Sequence, residues 1–300
     1  MRIGFVGLGK MGGNMVTRLL RSGHQVAAYG RSPQALEFAA SLGAEPAASF
    51  QELCAHLPAP RAIWMMVPAG APVEETLAGL LSHLSRGDLL IDGGNSHYPD
   101  SIRRGKELQT KGIGFLDCGT SGGIWGLELG YCLMVGGERR HFERIEPVLK
   151  SLAPEEGYAL VGPSGAGHFV KMVHNGIEYA LLQAYGEGFE LLASADEFGL
   201  DLPRVASLWN QGSVVRSWLL ELAERALAKD PKLETIRGYV EDSGEGRWTA
   251  LDAVGRGVPA TAIAHSLFAR FASRQEEPFS ARLIAALRRE FGGHATKARD

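Results

Sequence analysis

The chain has 300 residues, of which 45% are hydrophobic and 22% charged, an ordinary balance for a globular protein able to bury a core without staples. A formal net charge of −3 gives no global basic field of the kind nucleic acid requires, and no apolar run is long enough to span a bilayer. The three cysteines, Cys54, Cys118 and Cys132, form neither a disulfide framework nor a zinc spacing, so a cytoplasmic chain without signal peptide or metal is expected.

In chain order, residues 2–8 form a short apolar run ending in glycines, and 10–21 carry a helical pattern. Strand-like runs follow at 25–29, 62–67, 89–91, 114–116 and 132–135, with helical patterns at 33–42, 73–83 and 101–111. Strands alternating with helices predict an α/β Rossmann-type domain with a mostly parallel sheet. After Gly162-Pro163-Ser164-Gly165 the pattern becomes helical, led by a long helix from His168 to about Phe198. The expected division is therefore a dinucleotide-binding domain over 1–163 and an all-α domain over 164–300.

Gly7-Leu8-Gly9-Lys10-Met11-Gly12 is a GxGxxG motif between a predicted strand and a predicted helix. The first glycine permits a tight turn, the second lets backbone approach a pyrophosphate, and the third lets helix and strand pack closely. The helix N-terminus then offers N–H groups and partial positive charge to the phosphates. At the end of the second strand, where NAD proteins place an acid, stands Tyr29-Gly30-Arg31-Ser32. Arg31 can pair with a 2′-phosphate and Ser32 can donate to it, which favours NADP over NAD.

Lys171, His174, Asn175 and Glu178 stand at i, i+3, i+4 and i+7, one face of a helix. Phe169, Met172, Val173, Ile177 and Ala180 are interspersed, so the helix is expected to be largely buried. Buried charges need partners or a function. A desolvated lysine can lose its proton near neutral pH and serve as base toward an alcohol while hydride leaves the same carbon. A carboxylate β to the new ketone can then depart as carbon dioxide, and Glu178 can protonate the enol. Two glycine-rich turns are expected to complete the site. One is Asp92-Gly93-Gly94-Asn95-Ser96 at a strand end, and the other runs from Asp117 through Gly119, Ser121, Gly122 and Gly123.

These runs together resemble the 6-phosphogluconate dehydrogenases, within the wider β-hydroxyacid dehydrogenase superfamily. The resemblance covers GLGKMGGNM at 7–15, IDGGNS at 91–96, GTSGG at 119–123, HFVKMVHNGIEY at 168–179, GEGRWTA at 244–250 and LFAR at 267–270. It implies oxidative decarboxylation of 6-phosphogluconate in the pentose phosphate pathway, with Lys171 as base and Glu178 as acid. Asn95, Ser121, Gly122, Gly123, His174, Asn175 and Tyr179 would line the sugar acid, and Thr249, Arg270 and Arg247 would hold its phosphate. The family often has lysine at position 247, which keeps the charge and alters the hydrogen-bond geometry. Asn95, Val67 and Pro68 would lie near the cofactor.

The chain resembles the short form of the family. Its tail, from Arg288 to His294, still resembles the long-form tail that reaches a neighbouring subunit's substrate, which implies a homodimer or homotetramer with shared sites. A 3-hydroxyisobutyrate-type dehydrogenase would share the glycine loop and the Lys171/Asn175 pair without explaining Glu178 or the phosphate set. A non-catalytic nucleotide sensor on the same fold would explain neither carboxylate nor lysine.

Overall fold

The computed structural model describes residues 1–297, which divide into two compact units, Met1–Asn175 and Gly176 onward. The first unit is built on one eight-stranded sheet in the order β3-β2-β1-β4-β5-β6-β7-β8. Its strands are β1 (Arg2–Val6), β2 (Gln25–Tyr29), β3 (Glu45–Ala47), β4 (Ala62–Met65), β5 (Leu89–Asp92), β6 (Gly114–Ser121), β7 (Cys132–Gly137) and β8 (Tyr158–Gly162). All neighbours pair in parallel except β6 and β7, which are antiparallel. The Rossmann-type expectation holds, followed as expected, among the described residues, by helices alone.

Side chains alternate across the sheet, so two cores form. Ile3, Phe5, Trp64 and Ile91 pack on one face with α1 (Lys10–Arg21). The intervening Val6, Ile63, Met65 and Leu90 pack on the other with α4 (Ala71–Leu81) and α5 (Tyr98–Thr110). Between α1 and α4 lie α2 (Pro33–Ser41) and α3 (Phe50–Ala55), each started by a serine whose hydroxyl accepts a backbone N–H. α6 (Gly126–Leu129) is a single turn, and α7 (Arg139–Leu152) buries Phe142, Ile145, Val148, Leu149 and Leu152 on the first face.

Several elements differ from the sequence reading. β3, α3, α7 and β8 were not expected, although the apolar spacing within α7 is helical. The expected turn from Asp117 is strand as far as Ser121, because antiparallel β7 pairs with it residue by residue. Only Gly122 and Gly123, at φ +127° and +53°, make the turn. The long helix α8 spans Ala166–Ala193, and a separate 3-10 turn covers Asp196–Phe198. α8 is also not buried along its length. Lys171 is 6% exposed, whereas Leu181, Leu182 and Leu191 are exposed, the last at 73%.

The division near 163 follows the end of the sheet. The compact units divide later, after Asn175, because the first turns of α8 pack on the sheet. Gly167 lies so close to the backbone of Asp117, Met134 and Gly136 that no side chain would fit there. The second unit comprises the remainder of α8, α9 (Leu202–Trp209), α10 (Trp218–Lys229), α11 (Glu245–Arg256), α12 (Thr261–Ala272) and α13 (Phe279–Gly292).

Candidate active site

The glycine loop has the form a dinucleotide needs. Gly7 sits at φ +99°, and a β-carbon there would collide with the Met66 carbonyl. A β-carbon on Gly12 would collide with the Gly7 carbonyl, so the loop and α1 can close on each other only with glycine at both places. Gly9 differs, with no atom within 4 Å of the position a β-carbon would take, which leaves room for a pyrophosphate. It is the N-cap of α1 and supplies no side-chain acceptor, so the first helical N–H groups, from Lys10 to Gly12, are left for an anion. Leu8 and Met11 pack partly buried against the core beside them. These residues fit a dinucleotide.

Arg31 follows β2 and lies 3.3 Å from Glu75 of α4. Ser32 caps α2, its hydroxyl accepting the Ala35 N–H at 3.2 Å. Val67 and Pro68 follow β4, with Val67 against both Gly7 and Gly94.

The turn after β5 is organised from below. Asp92 is fully buried and accepts from the Gly94 N–H at 3.2 Å and the Ser96 hydroxyl at 2.7 Å. Arg104 of α5, 1% exposed, bridges Asp92 at 3.4 Å and Glu74 of α4 at 2.9 Å. The turn is thereby fixed while Asn95 at its tip stays exposed.

β6 sets the start of α8 with one face. Asp117, Gly119 and Ser121 alternate along the strand, so all three point the same way. The buried Asp117 carboxylate accepts the Gly165 N–H at 2.6 Å and the His168 N–H at 2.9 Å, capping α8. Gly119 touches the Lys171 stem: a β-carbon there would overlap Lys171 Cβ. Ser121 Oγ stands 3.4 Å from His174 Nε2. His174 Nδ1 in turn stands 3.1 Å from Asn175 Oδ1 and 3.5 Å from Lys171 Nζ. The buried lysine, the histidine, the amide and the serine hydroxyl thus form one connected polar group. Nearby Cys118 is wholly buried, which pushes its thiol pKa far up and leaves it no thiolate chemistry.

Within the second unit, α8 continues through Glu178, half-buried, and Tyr179, 5% exposed. Gly176 leaves space for the Thr249 side chain, whose hydroxyl donates to the Glu245 carbonyl at 2.8 Å. The Arg270 guanidinium lies 3.4 Å over the Tyr179 ring and donates to the Glu241 carbonyl at 2.9 Å. Arg247 is exposed and pairs through two nitrogens with Asp242, at 2.7 and 3.1 Å. Arg274, which the sequence reading did not single out, reaches the same carboxylate at 2.9 Å. Hydrogen bonds from Arg247 and Arg274 hold the Asp242 carboxyl below the usual carboxylate range. Two arginines share Asp242 and a third, Arg270, stands on the neighbouring Glu241 carbonyl, a set of guanidinium groups suited to an anion.

The tail residues lie on and after α13, with Arg288 exposed and His294 just past the left-handed Gly293. α13 buries none of its residues in the single chain, and Phe279, Leu283, Ile284, Leu287 and Phe291 form an exposed apolar stripe. Among the described residues no cluster of three or more His, Cys, Asp or Glu could hold a metal ion, and no helix is long and apolar enough to cross a membrane.

Known proteins resemble this chain along most of its length. Residues 2–162 match the family model described as the NAD binding domain of 6-phosphogluconate dehydrogenase, and residues 167–286 match the model of that enzyme's C-terminal domain. The NAD(+)-dependent, decarboxylating 6-phosphogluconate dehydrogenase of Haloferax volcanii is 46% identical over 302 residues, covering 100% of both chains. The structure of Plasmodium falciparum 6-phosphogluconate dehydrogenase superposes with a TM-score of 0.85 at 30% identity, covering 97% of this chain and 65% of that one. Mycobacterium tuberculosis 3-hydroxyisobutyrate dehydrogenase superposes at 0.73 with 24% identity, covering 96% and 99%, a likeness that speaks to the fold alone. The chain belongs to the 6-phosphogluconate dehydrogenase family, as a short-form, NAD(P)-dependent, decarboxylating member.

Proposed function

We propose that this chain oxidises 6-phosphogluconate at C3 and decarboxylates the product to ribulose 5-phosphate, using the residues of α8. The carrying observation is the buried Lys171, seated on Gly119 and joined to His174, Asn175 and Ser121. The nicotinamide, when bound by the glycine loop, accepts the hydride. Lys171 takes the proton of the 3-hydroxyl as that hydride leaves C3, giving a 3-keto acid. The same ammonium then sits beside the ketone oxygen and stabilises negative charge there as the carboxylate departs as carbon dioxide. Lys171 gives its proton to that oxygen to form an enediol; Glu178 then protonates the former C2, which becomes C1 of ribulose 5-phosphate, while Lys171 takes the hydroxyl proton back and the ketone re-forms.

Asn95, Ser121, Gly122, Gly123, His174, Asn175 and Tyr179 orient the sugar acid in this reading. Arg247, Thr249 and Arg270 hold its phosphate, which a smaller hydroxy acid would not engage. Val67 and Pro68, with Asn95, flank the nicotinamide. Arg31 and Ser32 meet a 2′-phosphate, which favours NADP; the Haloferax relative is named for NAD. The enzyme works in the cytoplasm as a homodimer or homotetramer, and the exposed stripe on α13 supports an assembly that brings Arg288 and His294 to a neighbour's site. The domains are functionally those of 1–163 and 164–300.

The test is a single assay. Purified protein is given 6-phosphogluconate with either cofactor, and reduced nicotinamide and carbon dioxide are measured together. Equal molar release supports the reading. Reduction without carbon dioxide, or turnover of 3-hydroxyisobutyrate in preference, overturns it.

A further inference from the structure

Arg31 does not stand alone at the end of β2. Its Nη2 lies 3.3 Å from Oε2 of Glu75, in the first half of α4, and both side chains are about two-thirds exposed. The adjacent Glu74 is turned away and engaged by Arg103 and Arg104. Between residues 28 and 36 Arg31 is the sole cation. The Ser32 hydroxyl already accepts the Ala35 N–H as the cap of α2. At the corner that would receive a substituent on the adenosine ribose, the Arg31 guanidinium therefore has its charge offset by a carboxylate.

Dinucleotide sites that take NAD place an acid at the end of the second strand, where it accepts the ribose 2′-hydroxyl. This chain lacks that acid in β2. α4 brings a carboxylate to the same corner from 44 residues away in sequence. We propose that Glu75 is a specificity-determining residue for the cofactor: it holds Arg31 and supplies the missing carboxylate, limiting any preference for NADP over NAD. The inference rests on the reading of this corner, at the end of β2, as the place of the ribose 2′ position.

The physical reason is charge rather than the strength of the pair. An exposed ion pair is worth little in itself and gives way readily. A phosphate monoester, however, carries about −1.5 to −2 at neutral pH. To bind, it must take Arg31 from Glu75 and then rest beside the displaced carboxylate, a like-charge contact. The hydroxyl of NAD brings no charge and can donate to that same carboxylate. Glu75 thus acts against one cofactor and with the other.

Glu75→Gln keeps the side-chain volume at an exposed position, so folding is not at issue. Dissociation constants for NADP and NAD are measured by calorimetry on the full chain without substrate. The ratio of the NADP constant to the NAD constant is expected to fall about tenfold, equivalent to about 1.4 kcal/mol. The shift should shrink as salt is raised, because the corner is exposed to screening. A ratio that stays within about twofold of wild type overturns the proposal. Arg31→Ala, measured beside it, separates the two readings. Selective weakening of NADP by Arg31→Ala with no effect of Glu75→Gln leaves Arg31 in its role and removes Glu75. Equal weakening of both cofactors by Arg31→Ala overturns the phosphate contact, while a shifted ratio in Glu75→Gln still upholds the charge effect.

Discussion

Gly119→Ala adds a single carbon at the point where β6 touches α8. The new β-carbon would overlap Lys171 Cβ and stand 2.8 Å from the Gly167 carbonyl oxygen and 3.1 Å from Lys171 Cγ. Ordinary contacts between such atoms lie near 3.5–4.0 Å, so the helix must retreat by roughly 1 Å. Neither side can yield cheaply, because Gly119 is paired with Met134 of β7 and Gly167 is packed on backbone. Overpacking of this kind costs about 1–3 kcal/mol. A shift of about 1 Å in a catalytic group can cost around 10²-fold in rate. The expected result is a lower melting temperature and a kcat reduced about a hundredfold, with dinucleotide affinity retained, since the glycine loop is on β1. Melting is followed by circular dichroism, turnover by absorbance of the reduced nicotinamide, and cofactor binding by calorimetry. A variant that melts lower yet turns over within about threefold of wild type would refute the claim that this contact positions Lys171.

Lys171→Met keeps the packing of a long side chain and removes the amine, so kcat should fall by about 10²–10⁴ while cofactor binding persists; more than a tenth of wild-type turnover would remove Lys171 as base. Glu178→Gln should slow protonation after decarboxylation more than hydride transfer, so isotope effects from labelled C3 hydrogen and labelled carboxylate should respond differently; unchanged rates of both steps would dismiss Glu178. If the tail serves a neighbour, mixing Lys171→Met subunits with Arg288→Ala/His294→Ala subunits should restore activity, because a mixed dimer has one site with neither defect. Demonstrated subunit exchange without recovery would mean that the tail serves its own chain or does not contact substrate.

The glycine loop and the stripe from Lys171 to Glu178 were legible because each is local: one turn, one helix face. The alternation of strands and helices was equally legible, and it gave the correct fold class. What stayed hidden joins distant positions. Asp117 caps α8 from 48 residues upstream, and nothing in its own neighbourhood distinguishes it from a turn residue. The Glu74–Arg104–Asp92 bridge links α4, α5 and β5, and the burial that makes it important appears only in three dimensions. Arg274 looks like any arginine after a helix until Asp242 is seen to bind it together with Arg247. The exposure of Leu181, Leu182 and Leu191 was missed for a related reason. An apolar residue in a helix declares that something covers it, but not whether the cover is the same chain.

The single face of β6 has a consequence for how the protein can change. Residues 117, 119 and 121 meet the start of α8 and the residue before it at 165 and 168, then α8 at 171 and 174, so a pleat with a period of two is matched tooth by tooth to a helix. A substitution disturbs one tooth. Loss or gain of one residue in the strand would turn the remaining teeth to the opposite face of the sheet. Helix cap, lysine seat and histidine contact would then vanish together, and no compensating point change could recover all three. Variation in length in this region should therefore be confined to the segments outside 114–121, where the chain turns and where added residues leave the phase of the strand intact.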